Sequence, residues 1–198
     1  MGYKLTSLVN LPFDARTEMY VFSIGDGLWE GGLSDIVHRN FDKIAKEIGP
    51  RAIIVGALEE SFHGQVVEKY LGRNAQELKN VLPALLITDA HPDQLGPDSL
   101  RILIPLQKAH ERYKVIEHFL SDLAAFVRGD SDTLLKQLED APTPVEIADD
   151  IVKVNVPILP GVVAVNLNNT VKQLRAWWKR RNDRKHNQGV QATRYPRA

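Results

Sequence analysis

Apolar positions along this chain change period several times, and each change predicts an element. Met19 to Ile24 (MYVFSI) and Ala52 to Leu58 (AIIVGAL) are continuous apolar runs of strand length. Between them Leu33, Ile36, Val37, Phe41, Ile44, Ala45 and Ile48 recur at helical spacing, and Gly49-Pro50 stops the helix. Strands apolar on both faces and joined by a helix predict a central parallel pair with a crossover connection. Ahead of them, Tyr3 to Asn10 reads as a strand, with Pro12 and Asp14 marking a turn.

Further along, the spacing predicts a helix from His63 to Leu71, a polar connection over 72–80, and a strand (ALLITD) opened by Pro83. The turn-rich stretch AHPDQLGPDS and a second strand, LRILIPL, follow. About ten residues between these strands leave no room for a crossover helix, so antiparallel pairing in a hairpin is the natural result. One helix is predicted from about Gln107 to Val127, with Ile116, Phe119, Leu120, Leu123 and Val127 inward. Another runs from Ser131 to Glu139, capped by Ser131 or Asp132. DAPTPVEIADD marks a boundary. Beyond it, IVKVNVPILPGVVAVNLNN reads as two strands, and Asn169 caps a final helix carrying Val171, Leu174 and Trp178. The division is a domain over 1–140, a β-plus-helix extension over 141–186 and a disordered tail over 187–198.

Composition narrows the function classes. A chain of 198 residues fits one domain with an appendage and buries roughly 70% of its unfolded surface without metal or disulfide. It has no cysteine, which removes disulfides, thiolate metal sites and thiol nucleophiles together. No apolar run approaches the ~18 residues of a membrane span, and the start of the chain has no secretory core, so a cytoplasmic location is expected. The zero net charge conceals a division. From Lys172 onward there are nine basic residues and one acid, a net of +8, so the preceding 171 residues carry −8.

The stretch VFSIGDGLWEGGLSDIVHRN holds the candidate chemistry. As a nucleotide site it offers Gly25, Gly27 and Gly31 between strand and helix, with Glu59 placed to meet a ribose hydroxyl. That reading needs further crossover units where this chain supplies a hairpin. The order of elements, with Trp29 before the helix and Pro83 before the third long strand, resembles the thioredoxin fold over roughly 3–127. The resemblance puts Glu30, Gly31, Gly32 and Leu33 where the redox tetrapeptide would sit, and makes Pro83 the candidate cis-proline. It implies an α/β thioredoxin-like mixed sheet flanked by helices, degenerate at the redox site, since Glu30 and Leu33 cannot exchange disulfides. It further implies a non-redox, non-enzymatic module, needing no cofactor or metal, that binds a protein or peptide partner. The contact face would be Trp29, Glu30, Gly31, Gly32, Leu82 and Pro83.

Other residues carry alternatives. Glu59 or Glu30 with His63 would suffice for proton transfer in a small-molecule enzyme. Asp89, His91 and Asp93 have metal-ligand chemistry but occupy a turn, where such residues are expected for backbone reasons. Ser34 has no base near it in sequence, and His38, His110 and His118 fall on polar helical stripes. The basic terminal helix offers Arg175, Trp177, Trp178, Lys179, Arg180 and Arg181 to a partner or to nucleic acid, or else docks its apolar stripe on the acidic body. The apolar runs of the extension suggest self-association into a homo-oligomer.

Overall fold

The computed structural model describes residues 1–25, 32–72, 78, 80–97, 99–139, 175, 176 and 178–180. Five strands are present: β1 (Gly2–Leu5), β2 (Met19–Ile24), β3 (Ala52–Ala57), β4 (Ala84–Thr88) and β5 (Arg101–Pro105). They form one mixed sheet in the order β1-β3-β2-β4-β5. β3 lies parallel to both β1 and β2, while β4 is antiparallel to β2 and to β5. The protein is therefore α/β, with a parallel half joined to an antiparallel hairpin.

Alternation along the strands divides the core into two layers. Met19, Val21, Ile54, Leu85, Ile87, Ile102 and Ile104 face one way, against α1 (Gly32–Glu47), α3 (Leu106–Tyr113), α4 (Ile116–Arg128) and α5 (Thr133–Glu139). Tyr20, Phe22, Ile24, Ile53, Val55, Leu86 and Leu103 face the other way, against α2 (Glu60–Leu71) and the Leu8–Leu11 segment. The β4–β5 pairing runs from Ala84 opposite Pro105 to Thr88 opposite Arg101.

Helix α1 reaches the sheet through Val37, Phe41, Ile44 and, just past its end, Ile48. At Phe41 and Ala45 it comes close to the sheet, where β1 and β3 each present a glycine. A Cβ at Gly2 would lie 3.0 Å from Phe41 Cε1 and 2.5 Å from Ala45 Cβ, and one at Gly56 would lie 3.0 Å from Phe41 Cε2. The two glycines give the ring its berth, a use of strand glycine where another group must come close. Gly56→Ala should therefore destabilise the protein by about 1–3 kcal/mol through overpacking. Thermal unfolding would show this as a lower midpoint, and the loss should shrink in a Phe41→Leu background, where the ring edge is gone.

Two elements differ from the sequence reading. The strand expected over Tyr3 to Asn10 ends at Leu5, and Leu8–Asn10 is a 3-10 turn. Gln65 on α2 causes this: its Oε1 accepts from Leu8 N at 3.1 Å and from Ser7 Oγ at 3.0 Å, drawing the chain off the sheet edge. The helix expected over 107–127 is two helices, separated at Lys114, whose φ of 61° is left-handed and whose N–H donates to His110 O. The break lets Leu106 and Ala109 on α3, and Ile116, Phe119, Leu120 and Leu123 on α4, enter one core. Tyr113 and Phe119 close the corner edge to face at 5.5 Å. Smaller adjustments extend α2 back to Glu60 and start α5 at Thr133, whose N–H donates to Ser131 Oγ. The strands expected beyond 150 and the tail over 187–198 lie outside the described residues.

Candidate functional site

β2 and β3 run parallel and end side by side at Ile24 and Ala57, so the loops that follow leave from one end of the sheet. Open α/β sheets keep their binding sites at such ends. The antiparallel register sets Ile24 opposite Ala84, which brings the Leu82–Pro83 peptide to the same end. That bond is cis, and Pro83 O accepts from Leu106 N at 2.8 Å where α3 begins. Helix α1 starts nearby in the chain at Gly32, whose φ of 78° is left-handed and beside which, among the described residues, no atom lies within 4 Å of where a Cβ would sit.

Of the six residues expected to form a contact face, Gly32, Leu82 and Pro83 are described: Gly32 is exposed, and Leu82 and Pro83 are half-buried. Trp29, Glu30 and Gly31 lie outside the described residues.

His63, expected to work with Glu59, is buried on α2 with 7% exposure. Its Nδ1 accepts the Gly25 N–H at 3.2 Å, which makes Nε2 the nitrogen that carries its proton. Glu59 is exposed at the N-cap of α2 and makes no capping bond with its side chain. Between the end of β2, the first turns of α1 and His63 lies a cavity of about 30 Å3, lined by Lys4, Ser23, Gly25, Ser34, Val37, His38, Phe41, Gly56, Ala57 and His63. The Ser34 Oγ is buried there with no hydrogen-bond partner. The sequence reading set Ser34 aside because no base lies near it in sequence, and His38 because it falls on a polar helical stripe. Their i, i+4 spacing on one helix face was the available signal.

The hairpin end is structural. His91, 5% exposed, accepts from Asp93 N through Nδ1 and donates through Nε2 to Leu11 O at 3.2 Å. Asp89 Oδ1 accepts from Leu100 N at 2.7 Å. These side chains shape the turn, and among the described residues no cluster of three or more metal-binding side chains forms. Arg101, 8% exposed, donates to the carbonyls of Tyr70 and Gly96, tying the hairpin to the end of α2.

At the basic segment, Trp178 stacks on Phe126 with ring centroids 4.9 Å apart and 20° between planes, and packs against the core beside α4. Arg175, Lys179 and Arg180 are exposed, and Trp177 and Arg181 lie outside the described residues. Trp178 thus docks on the body. Trp178→Ala should cost about 1–3 kcal/mol, given the half-buried ring and its stacking partner, with urea unfolding as the check. Among the described residues no helix is long and apolar enough to cross a membrane. No family model, curated protein or solved structure matches this chain.

Proposed function

We propose that the chain is a non-redox binding module of the thioredoxin-like class, which recognises a protein or peptide partner at the sheet end where β2, the start of α1 and Pro83 meet. The observation that carries this reading is the register of β2 on β4. It brings the prolyl segment to the end of the sheet from which the β2–α1 connection departs. The strand order, with the last two strands antiparallel, agrees with it. So does the exposure of Gly32, beside which no described atom lies within 4 Å of where a Cβ would sit. With no thiol in the chain, nothing here can exchange a disulfide, and the face is left with shape and backbone groups. Gly32, Leu82 and Pro83, with Trp29, Glu30 and Gly31 just before Gly32 in the sequence, make up the proposed surface.

A displayed peptide library panned against the full chain tests the proposal. Selected peptides should bind at least about tenfold more weakly to Leu82→Asp and to Trp29→Ala, since a central contact residue contributes well over 1 kcal/mol. Gln94→Ala, at the opposite end of the sheet, should bind as the wild type does. Unchanged affinity in the first two variants, with thermal unfolding intact, overturns the assignment of this face.

A further inference from the structure

The charges of this chain are divided between its two parts. Residues 172–198 carry nine basic side chains and one acid, and residues 1–171 a net of −8. The positive part is densest over 179–185, where Lys179, Arg180, Arg181, Arg184 and Lys185 accompany a single acid, Asp183. Like charges set this close repel one another, and a polyanion relieves the repulsion.

Trp178 fixes which way the start of this run is presented. Its ring is half-buried and stacks on Phe126 at 4.9 Å, beside α4. Lys179 and Arg180 follow it in helical backbone, and both are exposed. Successive residues of a helix point about 100° apart, so with Trp178 toward the body, Arg180 points away from it. Arg175 is engaged differently. Lys136 holds the Asp132 carboxyl below its usual range, and the charge of Arg175 adds to that. Arg175 is therefore not counted among the cations offered to a partner.

We propose that Lys179 and Arg180, with Arg181, Arg184 and Lys185 next in sequence, bind the phosphate backbone of nucleic acid without regard to base sequence. Affinity of this kind comes from cations that neutralise phosphates and release the counterions condensed on them. The −8 of the rest of the chain repels the same polyanion, so contact is steered to this end. An anionic membrane fits less well. An interfacial helix holds there by sinking its apolar face, and the ring of Trp178 is committed to Phe126. The proposal does not rest on the partner-binding face, which is read through Leu82 and Trp29.

The test is fluorescence anisotropy of a labelled mixed-sequence DNA duplex of about 20 base pairs, titrated with the full chain. Binding should be micromolar at about 50 mM salt and a few hundredfold weaker at about 200 mM, the slope for about five neutralised phosphates. Lys179→Gln combined with Arg180→Gln should weaken binding about tenfold or more at the lower salt. It should also make the salt slope shallower by about two. Lys69→Gln, on α2 at the other face of the sheet, should leave affinity and slope unchanged. Circular dichroism checks that each variant is folded. No binding at about 50 mM salt, or wild-type affinity and slope in the folded double variant, overturns the proposal. So does tighter binding to vesicles of about one-third phosphatidylserine than to the duplex, which identifies a lipid surface instead. Displacement of the duplex by polyglutamate at equal charge also overturns it, in favour of an acidic protein.

Discussion

Replacing Phe41 by alanine is expected to remove about 3–5 kcal/mol of folding stability, the upper range for a buried aromatic. The ring is 4% exposed and bridges α1 to both β1 and β3 across Gly2 and Gly56. Neither glycine has a side chain that could fill the vacated volume, so the void persists and the full cavity cost applies. Against a typical total of about 5–15 kcal/mol, that is a large fraction. Urea unfolding should show a much lower midpoint with an unchanged denaturant slope. Phe41→Leu, which keeps most of the apolar volume, should lose less than half as much. The consequence reaches the cavity, because Phe41 is part of its floor and α1 carries Ser34 and His38.

The second large effect appears at alkaline pH. Burial raises the phenol of Tyr70 far above its ordinary value, with the neighbouring Tyr20 and Asp93 charges adding to it. Tyr113 is raised by burial and by Asp122. Tyr20 is raised by burial, against a hydrogen bond from Thr17. In each case the folded pKa lies above the unfolded one. The unfolded chain therefore loses these protons from about pH 10, while the folded chain holds them, and stability falls as pH rises through that range. Each buried phenol contributes up to about 1.4 kcal/mol per pH unit, so the three together give a steep alkaline transition.

The part of the phenolate absorbance that Tyr70→Phe removes should rise together with loss of circular dichroism, since burial holds the proton on that ring in the folded chain. Tyr70→Phe separates the terms. It should cost about 1 kcal/mol at neutral pH, because Tyr70 OH donates to Ala90 O at 3.0 Å. It should also make the alkaline fall shallower by one phenol's share. Phenolate formation at Tyr70, read as the difference between wild type and Tyr70→Phe, well before unfolding would contradict the account of this ring.

What the sequence disclosed follows from which signals are local. The apolar runs at Met19–Ile24 and Ala52–Ala57 could only be buried strands, and the short connection after ALLIT left antiparallel pairing as the sole arrangement for β4 and β5. The break at Lys114 was invisible, because the spacing of Leu106, Ala109, Tyr113, Ile116, Phe119 and Leu120 continues one helical stripe across it. Only the left-handed backbone shows the turn. The end of β1 was equally hidden, since Gln65 arrives from a distant helix to take the chain away from the sheet.

At the site, Pro83 stood out as a proline opening an apolar run, and its place beside the end of β2 follows from strand register. The cavity did not stand out. Lys4, Ser34 and His63 belong to β1, α1 and α2, and nothing short of the three-dimensional fold brings an unpaired hydroxyl to an imidazole tied to Gly25. The hydrogen bond from Gly25 N to His63 Nδ1 likewise joins β2's end to α2 in a way no local signal shows.

The most direct measurement of the proposed role is backbone-amide NMR mapping of the full chain with a peptide selected from the displayed library. Perturbed amides should cluster at Gly25, Gly32, Leu82 and Ala84, around the proline that has no amide of its own, and should vanish in Leu82→Asp. A cluster instead at the 89–100 hairpin, or along Arg175 to Arg180, would contradict the assignment of the binding face to that end of the sheet.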